Sequence, residues 1–143
     1  MNENGVVHTP TDATSVSSPE PGMQRQVLAY NRSLMLVRHH FLQGWKGTSH
    51  IHPHEQLVYV VTGRIQFNSK GKTIELHRGD SVIVAGNVEH QATALEDSEV
   101  LDVFAPCRED YAQVTTKLLP SLVKLVTATQ PSPKVPSRFP AVP

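Results

Sequence analysis

Apolar residues occupy both parities of three short segments, SLMLVRHHF (33–41), LVYVV (57–61) and SVIVA (81–85). A strand that is apolar on both faces is covered on both faces, so these segments predict the middle of a sheet. Between the second and third, RIQFNSKGKTIELHRGD (64–80) divides into two alternating runs around Ser69, Lys70 and Gly71, the pattern of a β-hairpin with a glycine-containing turn. Gly63 and Gly79 punctuate strand ends, where the backbone needs angles that side chains oppose. Short strands at this spacing predict an all-β barrel. A barrel of this size has one interior, so something must cover the outer parity; a second copy of the chain, making a homodimer, is the simplest cover.

The period changes after the last strand. Val114, Leu118, Leu122, Leu125 and Val126 recur at helical spacing on either side of Pro120, predicting two short helices that pack on the barrel or on a partner subunit. Beyond them PSPKVPSRFPAVP (131–143) is too rich in proline for a helix or strand. At the other end, isolated valines among Thr, Ser, Pro, Asn and Gly offer too little apolar surface to offset the entropy of ordering. The expected organisation is a disordered tail over 1–24, a folded domain over 25–110, a short helical extension over 111–129 and a proline-rich tail over 130–143.

Composition narrows the function. In 143 residues, 13 Lys and Arg balance 13 Asp and Glu, which suits one domain and gives no electrostatic reason to bind nucleic acid. The sequence carries no long apolar run and no basic-then-apolar leader, so neither membrane insertion nor secretion is expected. The single cysteine, Cys107, excludes an intrachain disulfide, and the cytoplasm is the expected compartment.

The chemistry concentrates in GWKGTSHIHPHEQLVYVVTG (44–63) and in a later histidine, His90. On a strand, His50 and His52 project from one face with Cα atoms roughly 6.5 to 7 Å apart, so two imidazoles can converge on one cation. Gln56 follows as the chain enters LVYVV, and His90 opens EHQATAL (89–95), completing a candidate metal set of three histidines and an amide oxygen; the alternative is a Gln56 that only hydrogen-bonds within the barrel. A neutral amide leaves a divalent ion more positive than a carboxylate would, which favours polarising a substrate oxygen over oxygen activation. Mn, Fe, Co, Ni and Zn all suit His and Gln ligands. Farther on, alternation puts Asp102 and Phe104 on one face and Leu101, Val103 and Ala105 on the other. If the latter meet an apolar layer, Asp102 points into the cavity, where a carboxylate needs a compensating partner and becomes a proton-transfer candidate; the alternative is an edge-strand Asp102 in solvent. His54 reads as a loop residue at the site mouth, His39 and His40 as satisfied core or surface histidines, His77 as exposed, and Cys107 as structural or at the site rim.

The spacing of Gly44, His50, His52, Gln56 and Gly63 resembles the first cupin motif with Gln in place of Glu. Gly79, Ala85 and Asn87–His90 resemble the second, with Ala85 at its proline and Ala94 at its asparagine. The resemblance implies a small cupin barrel, that is a double-stranded β-helix or jelly roll, with a short helical C-terminal extension. Closer still, HPHEQLVYVVTG, GDSVIVAGNVEHQATALED and EVLDVFAPCRED are similar to the pectin-degradation cupins of the KdgF type over about residues 30–111. That similarity implies metal ligation by His50, His52, Gln56 and His90, and conversion of ring-form 4,5-unsaturated uronates to linear 4-deoxy keto-uronates. Asp102, Phe104 and Arg108 match its active-site pattern, with Asp102 moving the proton, Phe104 walling the cavity and Arg108 gripping the uronate carboxylate. A surface ion pair of Arg108 with Glu109 or Asp110 is the alternative. Ala85, Ala94 and both terminal extensions depart from the family pattern, so two other functions stay open. They are a cupin polyketide cyclase, isomerase or dioxygenase, and a non-catalytic sugar-binding module.

Overall fold

A computed structural model describes residues 5–112. A 3-10 turn, Thr11–Ala13, precedes nine strands: β1 (Val16–Glu20), β2 (Met23–Tyr30), β3 (Met35–Phe41), β4 (Glu55–Thr62), β5 (Arg64–Ser69), β6 (Lys72–His77), β7 (Ser81–Val84), β8 (Gln91–Ala94) and β9 (Ser98–Ala105). They form a six-stranded sheet, β1-β2-β3-β9-β4-β7, and a three-stranded sheet, β6-β5-β8. Val58, Val60, Val84 and Val100 from the first pack against Ile65, Phe67, Leu76 and Ala94 from the second, giving the core between them. A second cluster, Met35, Val37, Phe104 and Cys107, fills one end.

Local sequence explains the sharp corners. Ser69 pairs with Lys72 across a loop in which Lys70 and Gly71 have φ of 51° and 76°, the consecutive left-handed residues of a tight hairpin. Gly63 has φ of 89°, and a Cβ there would collide with Ser98 and the Asp97 carbonyl, so glycine is required both by angle and by space.

The N-terminal boundary differs from the expected one. β1 pairs antiparallel with β2, and buried Gln26 donates to the Thr11 carbonyl (3.1 Å) and to Thr14 Oγ1 (2.7 Å), so the folded part begins well before residue 25. An edge strand is held by backbone hydrogen bonds, which apolar content does not report. At the other end the described chain closes in a helical turn over residues 109–112. The rest of the expected helical extension and the proline-rich tail lie outside the described residues.

The outer face is covered unevenly: Arg38 on β3 and Glu99 on β9 are buried, whereas β4 and β7 expose apolar side chains, and β7 lies at the edge of the sheet rather than in its middle. Leu57 and Val103 face each other across β4 and β9, Leu57 and Ile83 across β4 and β7, and Ile83 is 69% exposed. Among the described residues no helix is long and apolar enough to cross a membrane.

Candidate metal centre

His50 and His52 lie in the approach to β4 rather than on a regular strand, and backbone contacts bring the histidines together. His50 and His90 form an isolated antiparallel bridge, each N–H donating to the other's carbonyl at 3.0 and 3.1 Å, while the Asn87 N–H donates to the His52 carbonyl at 2.8 Å. Gly86 permits this approach, since a Cβ on it would strike the Pro53 carbonyl.

The outer ring nitrogen of each histidine is committed. Nδ1 of His50 donates to the Thr48 carbonyl (2.9 Å), Nδ1 of His52 to that of His54 (3.0 Å), and Nδ1 of His90 to that of Val88 (2.8 Å). A carbonyl can only accept, so a neutral ring at each position carries its proton on Nδ1 and turns the Nε2 lone pair inward. The three histidines offer ligand atoms within 4.8 Å of one another, and buried Nε2 of His90 has no hydrogen-bond partner. Burial foremost, then the charges of Arg108 and His90, holds His52 below the usual imidazole range, and burial does the same for His90. Neutral rings with convergent lone pairs fit a metal ion.

Gln56 fits the same set. Its Nε2 donates to Asp102 Oδ1 at 2.9 Å, which turns Oε1 toward His52 Nε2 at 3.1 Å. With the His52 proton on Nδ1, two acceptors meet there, an arrangement that a cation between them reconciles.

Asp102 points into the cavity and is 3% exposed, so the edge-strand alternative is excluded. Its Oδ2 lies 2.7 Å from His39 Nδ1. β9 runs between β3 and β4 in the sheet, which lets His39 and Gln56 reach the carboxylate from opposite sides. Phe104, 1% exposed, lies edge-on to His52 and walls the site. Arg108 makes the ion pair given as the alternative, with Nε and one terminal nitrogen on Asp110 at 2.9 and 2.7 Å, and its guanidinium lies over the Tyr111 ring at 4.1 Å and lines the cavity. The Arg108 hydrogen bond holds the Asp110 carboxyl below its ordinary range. Burial pushes the Tyr111 phenol up. The cavity, about 420 Å³, has an apolar floor of Phe41, Val58, Ile65, Phe67 and Val100, a size suited to a small molecule.

Sequence reading missed His39, Arg25 and Tyr111 as cavity residues. Parity held the signal for the first two, since His39 shares its face with Val37 and Phe41, and Arg25 with Met23 and Val27. His54 is half-buried beside His52, with ring centroids 5.6 Å apart, and His77 is exposed. Cys107 is buried, and that burial pushes its thiol up.

Two facing antiparallel sheets with an inward histidine cluster define a cupin, and the chain belongs to the cupin family, whose domain matches residues 37–104. KdgF from Halomonas sp. is 36% identical, with a TM-score of 0.69 over 73% of this chain and 99% of that one. An RmlC-like cupin from Shewanella frigidimarina is 35% identical, with the same TM-score over 73% of this chain and 94% of that one. A Klebsiella pneumoniae protein with a double-stranded β-helix domain shares the fold at 24% identity and a TM-score of 0.58, over 65% of this chain and 84% of that one. No curated protein matches the chain.

Proposed function

We propose that the chain is a metal-dependent enzyme that converts ring-form 4,5-unsaturated uronates to linear 4-deoxy keto-uronates without oxygen. The observation that carries this reading is Asp102, a buried carboxylate hydrogen-bonded to Gln56 beside three convergent histidines at a sugar-sized cavity. The reaction is an isomerisation. The C1 hydroxyl loses its proton as C1=O forms and the bond to the ring oxygen breaks, and the released enol takes a proton at C4 as its C5 oxygen becomes a ketone. No atom is gained or lost. One group able to accept and return a proton suffices, and Asp102 is placed for it. A divalent Mn, Fe, Co, Ni or Zn ion held by His50, His52, His90 and Gln56 Oε1 supplies Lewis acidity toward a substrate oxygen. The Asp110 pair uses Nε–H and one Nη2–H, which leaves Arg108 the second Nη2–H and both Nη1–H groups, enough for a paired end-on grip on the uronate carboxylate. Phe104 and the apolar floor keep water from the ring.

The test is the decay of ultraviolet absorbance of a freshly generated 4,5-unsaturated uronate in anaerobic buffer. Metal-loaded protein should accelerate it; chelated protein and Asp102→Asn should not. No acceleration by the loaded protein overturns the uronate reading in favour of a cyclase, dioxygenase or sugar-binding cupin.

A further inference from the structure

His39 is a buried imidazole that the reaction above does not use, and its two ring nitrogens are bound on opposite sides. Nδ1 is 2.7 Å from Asp102 Oδ2, and Arg25 Nε donates to Nε2 at 3.0 Å. A guanidinium has five N–H donors and no acceptor, so Nε2 must present its lone pair. That excludes the Nε2–H tautomer and the imidazolium together, since each would set two N–H groups against one another. The one proton of the neutral ring then sits on Nδ1 and is donated to Asp102. Arg25 is itself fixed, its guanidinium lying 3.9 Å from the centroid of the Tyr111 ring. His39 stacks on Phe41, with centroids 5.4 Å apart and planes 15° from parallel.

We propose that Arg25 and His39 are positioning residues that set the polarity of the site, a chain of donors running from Arg25 through His39 to Asp102. With Oδ2 accepting an N–H from a neutral ring, Asp102 stays a carboxylate that can only accept, so the Gln56 amide must present Nε2 to Oδ1 and Oε1 to the metal ligands. Loss of the Arg25 donor leaves His39 Nε2 able to take a second proton, so that the Nδ1 proton can pass to Asp102, and a protonated Asp102 no longer fixes the Gln56 amide. The inference depends on Gln56 as a ligand and not on the identity of the substrate, because its first readout needs no turnover.

The experiment is ¹⁵N–¹H correlation of histidine-labelled, zinc-loaded protein at pH 7.5, with His39 assigned by the signals lost in His39→Asn. The expected result is a neutral His39 protonated on Nδ1 alone in the parent and in Arg25→Lys, which keeps a donor, and a ring that carries a proton on Nε2, as imidazolium or as the reversed tautomer, in Arg25→Met. An Nε2–H or charged His39 in the parent, or no change in Arg25→Met, overturns the proposal. Zinc affinity, measured against a competing chelator, should fall about tenfold or more in His39→Leu, the scale of losing a residue that orients a metal ligand. It should recover in His39→Asn, whose amide nitrogen takes the place of Nδ1. Arg25→Met added to His39→Leu should cost nothing further, because both act through one contact. Equal affinities for the Leu and Asn variants, or losses that multiply, refute the chain of donors even where uronate turnover stands.

Discussion

Replacing Gln56 by Glu restores the residue usual in the first cupin motif, yet the structure predicts damage. Gln56 Nε2 lies 2.9 Å from Asp102 Oδ1, so Gln56→Glu removes a donor and sets two carboxylates at hydrogen-bond distance. At an effective dielectric of 20, two unit charges at 2.9 Å repel by about 6 kcal/mol, equivalent to roughly four pKa units. Such a pair holds one proton between its members near neutral pH, as closely spaced carboxylates do. In the chelated variant the folded state then binds more protons than the unfolded one above the ordinary carboxylate range. Stability relative to the parent therefore falls as pH rises from about 5 to 8. In the metal-loaded variant, a proton shared between the introduced carboxylate and Asp102 blocks proton acceptance by Asp102, and kcat should fall by about 10² to 10⁴, the usual worth of general acid–base catalysis. Thermal melts of chelated parent and Gln56→Glu across that pH range, with metal content and uronate turnover, test the argument. A variant with parental kcat and a pH-independent stability difference would refute it.

Three further outcomes follow from the geometry. Because burial lowers the affinity of His52 and His90 for protons, zinc binding should be flat above the ordinary imidazole range and decline only as pH falls through and below it; a competition titration that weakens with rising pH refutes this. Gly63→Ala forces a side chain into a φ of 89° and against Ser98, and should cost about 1–3 kcal/mol, read as a fall in melting temperature of several degrees or more. We propose a homodimer formed through the outer face of β4 and β7, where Leu57 and Ile83 are 40% and 69% exposed. Sedimentation should find a dimer that Ile83→Asp dissociates, and a parent that sediments as a monomer refutes it.

The sequence by itself determined what depends on near neighbours. Alternation marked β5 and β6, Lys70 and Gly71 supplied the left-handed pair that closes their hairpin, and Gly63 declared a corner. The cluster of His50, His52 and His90 was legible as a set, although an isolated bridge and not a regular strand brings the rings together, and strand parity sent Asp102 and Phe104 inward as read. Tertiary structure decided the rest. β1 is a polar edge strand secured by backbone pairing, which leaves no apolar trace. Asp110 was a nearby option for Arg108, but that the paired guanidinium still faces the cavity follows from packing on Tyr111. Parity placed His39 on the inward face, but what each of its nitrogens meets was set by Arg25 on β2 and Asp102 on β9, the two strands that flank it. A ring's tautomer is a property of its two partners, and those partners meet only when β2, β3 and β9 come into register.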